Sequence, residues 1–432
     1  MVLKNVMQNL WSIGIRGRIW RNIYHINKQA IIKIKTPLVD SNEVLIGETV
    51  KQGSVLASTL AAMHTDTAIK KFENTGLGVY YGKLLIPLLM FQDDIVKLDY
   101  TKENLQKSNI ILEDFQNENR MEFHKTKTVM MTNAKEDASM VLNNQMIKEV
   151  KEYKYLGDII NLENSYTEVI EDRKNSITGT VAELVTISNE IQQNNIVAMT
   201  QYLNGIIIPK LILNSEAWNN INKQEMENIE RVQSQSIKRL LHLPYTTPTY
   251  GLYNELGIMS IKNRIIQRKL IFLHKLLNKH PDSLARNTLM EQIGMPGQTW
   301  YNNVIEELES LEIEMGIEEI EEMSKYKWKS LVKNRTWKKE QLEYYEWAEK
   351  SKKCNLMQRD KIEMKKYIKE FKHETAKIIM EVRLGMVDVK SNYRNKHEDS
   401  LCRECGREEE TVEHFIQCQT KHSQKHKMKN FH

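Results

Sequence analysis

The chain has 432 residues, 41% of them hydrophobic and 28% charged, with 17 Gly and 7 Pro. At about 150 residues per domain this length suggests two to three domains, and the composition excludes a collagen-like, mucin-like or wholly disordered chain. Four cysteines exclude a disulfide scaffold, and 62 Lys plus Arg against 57 Asp plus Glu give a formal charge of +5, which permits nucleic-acid binding without arguing for it. Sparse cysteine points to a reducing compartment, so the expected localisation is intracellular, in cytoplasm and nucleus. The longest apolar run, Leu84 to Phe91, is far short of the roughly 20 residues that span a bilayer. The first residues lack the apolar core and cleavage site of a signal peptide. No membrane association or secretion is therefore expected.

In chain order, residues 5–26 carry a helical apolar pattern (Val6, Leu10, Ile13, Ile19, Ile23) that Gly14 and Gly17 should break. Residues 30–36 and 44–50 read as a β-hairpin around a turn-rich 37–42. A helix is predicted over 54–73. Strands are predicted over Val79 to Met90 and Ile95 to Leu98, joined at Gln92-Asp93-Asp94. A helix over 102–117 and short strands within 129–132 and 149–160 complete an α+β region. After about residue 165 nearly everything is helical, with clear helices over 222–243, ended by Pro244, and 261–279. Residues 304–323 hold nine Glu and no Lys or Arg, whereas 325–373 hold 16 Lys plus Arg against 7 Asp plus Glu, a surplus of 9.

Several short motifs carry possible chemistry. Asp93 and Asp94, adjacent at a turn between apolar strands, suit a hard divalent cation that keeps positions open for phosphates; turns also favour Asp for conformational reasons. Lys51-Gln52-Gly53-Ser54 before a helix suits close approach to an anion, or is an ordinary Ser-capped helix start. Lys125-Thr126-Lys127-Thr128 offers a cation to a leaving pyrophosphate, or is a solvated basic loop. Glu152 to Ile159 reads as a hairpin turning at Gly157. In the basic stretch, Tyr326, Trp328, Trp337, Tyr344, Tyr345 and Trp347 either stack on bases between phosphate-binding lysines or form the buried side of amphipathic helices. The acidic run reads as a solvated helix or linker.

The ordered set, Gln-Gly-Ser-x-Leu, Phe-Gln-Asp-Asp, a lysine loop and Tyr-Leu-Gly, resembles the palm motifs of reverse transcriptases, above all those of non-LTR (LINE-type) retrotransposons. Leu10-Trp-Ser-Ile-Gly-Ile-Arg-Gly-Arg-Ile-Trp20, Ile34-Lys-Thr-Pro37, Asn214-Ser-Glu-Ala-Trp218 and Glu255-Leu-Gly-Ile258 resemble stretches flanking that palm. The resemblance implies that Asp93 and Asp94 bind Mg2+, with Phe91 preceding them. It implies that Gln52 and Gly53 help place nucleotide and template, and that Lys127 is the acid toward pyrophosphate. Tyr155, Leu156 and Gly157 would grip the primer end. The implied partners are an RNA template, a DNA target or primer, and dNTPs. The family's further Asp lies on a strand upstream of the segment matching Leu10 to Trp20, so the expectation is an N-terminally truncated chain that alone is inactive or nearly so.

The tail holds Cys402-x2-Cys405-x8-His414-x3-Cys418, three thiols and an imidazole spaced for tetrahedral Zn2+. Gly406 suits a tight knuckle, His422 and His426 are competing ligands, and Cys354 is left over as an ordinary thiol. This pattern also resembles the Cys-Cys-His-Cys motif near the C-terminus of LINE proteins, with Glu410-Thr411-Val412-Glu413 between the ligands. The expected fold is an α+β partial palm over 1–160, a helical thumb and extension over 161–300, a charged helical connector over 301–375 and a zinc knuckle region over 376–432. The expected function is RNA-directed DNA synthesis with two Mg ions, and the rival is a non-catalytic nucleic-acid-binding remnant or repurposed protein.

Overall fold

A computed structural model describes residues 2–37, 39–45, 50, 54–134, 139–190, 195–351, 357, 360–392 and 399–418. The chain divides into two compact units, residues 1–155 with 160–164, and 156–159 with 165–432.

The first unit is α+β. Helices α1 (Leu3–Ser12) and α2 (Gly17–Lys28) are separated where the sequence predicts, because Gly14 and Gly17 take φ of +91° and +68°, outside the helical region. Strands β1 (Ile31–Ile32) and β2 (Val44–Leu45) pair antiparallel, and α3 (Ala57–Phe72) follows. Leu3, Val6, Met7 and Leu10 of α1 bury against Ile23 of α2 and Leu60 of α3. The lower half of α3 joins a second core, in which Ala68 and Phe72 meet Leu112 and Phe115 of α4 (Lys102–Asn119). Fully burying a Leu or Phe side chain contributes about 1.5–3 kcal/mol.

Val79 to Met90 is not one strand. It divides into β3 (Val79–Tyr81), β4 (Leu84–Ile86) and the start of β5 (Leu89–Phe91). Gly82 turns at φ +60°, and Pro87 follows β4, where a residue without an N–H cannot extend a ladder. β5 pairs antiparallel with β6 (Asp94–Val96). A three-stranded sheet places β9 (Gln145–Glu149) between β7 (Val129–Met130), parallel, and β8 (Met140–Leu142), antiparallel. β8 and β9 turn at Asn143-Asn144, both at positive φ, as a two-residue hairpin of matching twist requires. β10 (Glu152–Tyr155) and β11 (Asp158–Asn161) form the last hairpin.

The second unit is helical, as the sequence predicts. Its main core gathers Val169, Ile170, Ile177 and Val181 of α5 (Thr167–Glu190), Ile229, Val232 and Ile237 of α8 (Lys223–Leu240) and Leu252, Tyr253 and Leu256 of α9 (Thr249–Leu256). Between α5 and α8 lie α6 (Ile196–Tyr202), a π-helical turn Leu203–Ile207 and α7 (Ile208–Leu211). Asn222 and Glu225 form a reciprocal capping box at the start of α8, at 2.9 and 3.0 Å. α10 (Ile261–Leu277) packs with α11 (Leu284–Ile293), α12 (Trp300–Ser310), α13 (Ile317–Glu322) and the 26-residue α14 (Lys325–Lys350). α15 (Lys366–Glu370) and α16 (His373–Arg383) return to the main core through Ile368, Ala376 and Met380. α17 (Val412–Gln417) carries part of the cysteine motif. Among the described residues no helix is long and apolar enough to cross a membrane.

The aromatics of the basic stretch divide in a way the sequence leaves open. Trp328 and Tyr344 are buried at 1% exposure and Trp347 packs against the main core, whereas Tyr326 is 86% exposed. For the first three the core reading holds.

Candidate active site and metal centre

Asp93 and Asp94 stand at the tip of the β5–β6 hairpin. Phe91 pairs with Asp94, so Gln92 and Asp93 are the whole turn. Gln92 carries the turn at φ +57°, a conformation costly for a residue with a Cβ. Met90 and Ile95, opposite each other one step back, pack on the Phe72–Phe115 core. Phe91 and both carboxylates are exposed at the end of arms fixed below. Two adjacent carboxylates offer only oxygen donors and leave solvent on the other side, the donor set that Mg2+ selects.

Tyr155 closes the neighbouring hairpin, and burial, then the charge of Asp94, pushes its phenol pKa up. Tyr155 is thus within electrostatic reach of Asp94. Leu156 and Gly157 form the turn, with φ of +48° and +89°. Lys127 lies in an exposed turn over 125–127, its N–H donating to the His124 oxygen at 3.2 Å, and among the described residues no contact joins it to Asp93 or Asp94. Gln52 and Gly53, like Lys51, lie outside the described residues. Ser54 contributes a local turn, its hydroxyl accepting from the Leu56 N–H at 3.3 Å.

Sequence reasoning missed what supports Leu156-Gly157 within the second unit. Asn214 donates to the Leu156 oxygen. Asp158, just after the turn, accepts from Arg173 and from the Trp218 indole N–H, the latter at 3.2 Å. Arg173 is 5% exposed, also donates to the carbonyls of Leu211 and Leu213, and lies 4.6 Å from the Trp218 ring centre. Glu216 binds Arg268. The Asn214 to Trp218 motif, read in the sequence only as a stretch flanking the palm, is therefore a clamp beneath the turn, and only the fold brings its members together.

Glu255-Leu-Gly-Ile258 is structural too. The Glu255 carboxylate is buried, accepts from Arg383 at 2.8 Å and also from the Tyr367 hydroxyl. Gly257 ends α9 at φ +65°, and a Cβ there would lie 2.5 Å from the Met364 nitrogen.

In the tail, one donor atom from each of Cys402, Cys405, His414 and Cys418 lies within 4.8 Å of the others. The Gly406 N–H donates to the Cys402 oxygen at 2.8 Å with Gly406 at φ +63°, folding the first pair into a knuckle. Backbone N–H groups of Arg407 and Glu408 draw the Cys405 thiol below its ordinary range, while burial holds Cys402 up. Thr411 caps α17 by accepting from the His414 N–H at 3.1 Å, which presents His414 and, one turn later, Cys418. His414 Nε2 lies 3.2 Å from Cys405 Sγ and its Nδ1 is 3.0 Å from the Glu408 carboxylate, an arrangement that orients a metal-binding imidazole. Glu410, 1% exposed, receives the Lys390 N–H together with the Arg403 N–H and guanidinium. Against the upward push of burial, these bonds draw its carboxyl down to about 2. Three thiols and an imidazole at this mutual distance suit tetrahedral zinc. Cys354, His422 and His426 lie outside the described residues.

With this geometry in view, residues 3–160 match the family described as reverse transcriptase (RNA-dependent DNA polymerase). The chain is also 24% identical over 251 residues to the RNA-directed DNA polymerase from mobile element jockey of Drosophila funebris, an alignment covering 55% of this chain and 26% of that protein. The chain therefore spans about a quarter of the length of that relative. The resemblance to non-LTR retrotransposon reverse transcriptases, drawn from the motif order, is borne out by both likenesses.

Proposed function

We propose that this chain supplies the carboxylate-bearing half of a reverse-transcriptase palm (1–160), a helical thumb (161–300), a charged connector (301–375) and a zinc knuckle region (376–432). The observation that carries the reading is the exposed Asp93-Asp94 turn, set on core-anchored arms with Asp94 in electrostatic reach of Tyr155, inside the segment that matches the family. The reaction is nucleotidyl transfer, in which a primer 3′-hydroxyl attacks the nucleotide α-phosphate and pyrophosphate leaves. Asp93 and Asp94 would hold Mg2+, which when bound neutralises charge on the phosphates. Leu156 and Gly157 present backbone to the primer end, and Gln52 and Gly53 contact nucleotide and template. Lys127 offers its ammonium to the departing pyrophosphate. Cys402, Cys405, His414 and Cys418 would hold one Zn2+. The partners are an RNA template, a DNA primer or target, and dNTPs.

The test is primer extension on an RNA template with the intact chain, alongside Asp93→Ala and Asp94→Ala and a parallel measurement of RNA binding. Extension by the parent, abolished in both variants with binding intact, supports the polymerase reading. Binding without extension in any form overturns it for this chain alone and leaves the non-catalytic binding protein.

A further inference from the structure

The first three turns of α14 hold a charge distribution that works against the helix. Lys325, Lys327, Lys329 and Lys333 are all exposed, and the first turn contains no acidic residue. Cations at a helix N-terminus oppose the macrodipole, and the pairs Lys325/Lys329 and Lys329/Lys333 repel at i,i+4 spacing. None of these four lysine side chains has a hydrogen bond or ion pair among the described residues, although the glutamate-rich run lies directly upstream. Two of those glutamates serve other partners: Glu312 takes Arg335 and Lys338 further along α14, and Glu321 takes Arg286.

The neighbouring helix brings one more lysine to this region. The Trp328 indole donates to the Leu270 oxygen at 2.9 Å, His274 stacks on Trp328, and His274 Nε2 is 2.8 Å from the Met323 oxygen. The basic start of α14 therefore lies beside the C-terminal end of α10, where Lys275 is also exposed. Amid these lysines Tyr326 is 86% exposed, and a helix of 3.6 residues per turn sets Lys325, Tyr326, Lys329 and Lys333 on one face.

We propose that this face is a docking surface for single-stranded nucleic acid, with Lys325, Lys329 and Lys333 on consecutive phosphates and Tyr326 stacked on a base. The unpaired positive charge calls for a polyanion, and the aromatic ring standing in solvent among the lysines selects one whose bases are free to stack. The inference concerns binding and stands apart from nucleotidyl transfer, so Asp93→Ala leaves it untouched.

The experiment measures affinity of the intact chain for a fluorescent single-stranded RNA of about 20 nucleotides, titrated across salt concentrations. Three forms are compared: the parent, Lys325→Gln/Lys329→Gln/Lys333→Gln, and Tyr326→Ala. A control carries Lys174→Gln/Lys210→Gln/Lys223→Gln, which makes the same charge change on α5, α7 and α8. The first triple variant should lower the slope of log affinity against log salt by about 2, at roughly 0.7 per phosphate contact. Its melting temperature should stay level or rise, because repulsion is relieved, whereas a structural role for these lysines predicts a fall. Tyr326→Ala should weaken binding about 5-fold or more with the slope kept. Equal slopes in the first triple variant, its control and the parent overturn the surface. An unchanged affinity in Tyr326→Ala, or equally tight binding of a DNA duplex, overturns the single-strand assignment.

Discussion

Asn214 donates from Nδ2 to the main-chain oxygen of Leu156 at 2.8 Å, across a separation of 58 residues. Asn214 itself sits at φ +56°, a conformation asparagine tolerates better than most residues. Asn214→Gly keeps that backbone and removes only the donor. It should cost about 1 kcal/mol in urea unfolding, and Asn214→Ala should cost more because it adds left-handed strain. Equal stability of all three forms would show the bond to be inconsequential.

The Asp158–Arg173 pair tests the same clamp more severely. Removing one partner leaves a buried charge uncompensated, so Asp158→Ala should destabilise by about 3 kcal/mol or more. The double variant Asp158→Ala/Arg173→Met should regain part of that loss, since no unpaired guanidinium remains. A double variant as unstable as the sum of the singles argues against the coupling.

Gly257→Ala is predicted to be costly out of proportion to one methyl group. The residue needs φ +65°, and its added Cβ would meet backbone of residues 363 and 364 at 2.5–3.1 Å. The expected loss is at least about 2 kcal/mol, from left-handed strain and forced backbone movement together. Thermal melts of the intact chain decide it.

Metal analysis of chain purified without chelator should find about one Zn2+ per molecule, and Cys418→Ser should lose most of it. Glu408→Gln should retain zinc but weaken affinity about 10–100-fold in chelator competition, because Glu408 orients the His414 ring. Full zinc retention by Cys418→Ser would remove that residue from the ligand set.

Glu230 makes stability depend on pH. Its carboxylate accepts from the Tyr253 hydroxyl at 2.7 Å and the Ile261 N–H at 2.8 Å, yet burial pushes it up to about 7. The folded state therefore holds a proton that the unfolded chain releases near 4.3. This contribution to stability is full below that value and falls as pH rises to about 7, then is flat. Denaturant midpoints across pH 4–8 should show the fall in the parent, flattened in Glu230→Gln; parallel curves would exclude this carboxyl as the source.

Long helices were legible because their apolar residues repeat with the helical period: α8 and α10 begin and end within a few residues of the predicted limits. The strands were less so. The apolar run through 84–91 concealed a hairpin and a proline exit. β8 and β9 escaped notice because Asn143-Asn144 lacks the glycine that usually marks such a turn. Asp93-Asp94 and the cysteine motif were readable from local spacing. The clamp formed by Asp158, Arg173, Asn214 and Trp218 was not, since its members meet only through tertiary packing.

The β5–β6 arms also make the aspartate pair intolerant of length change. Met90 and Ile95 reach the Phe72–Phe115 core only because a pleat alternates sides at each residue. One residue inserted into either arm would reverse that arm's alternation, lifting Met90 or Ile95 out of the core and rotating the carboxylates to the opposite side. Side-chain identity at the tip is therefore free to vary within what chemistry allows, while the residue count between Leu89 and Val96 is mechanically locked.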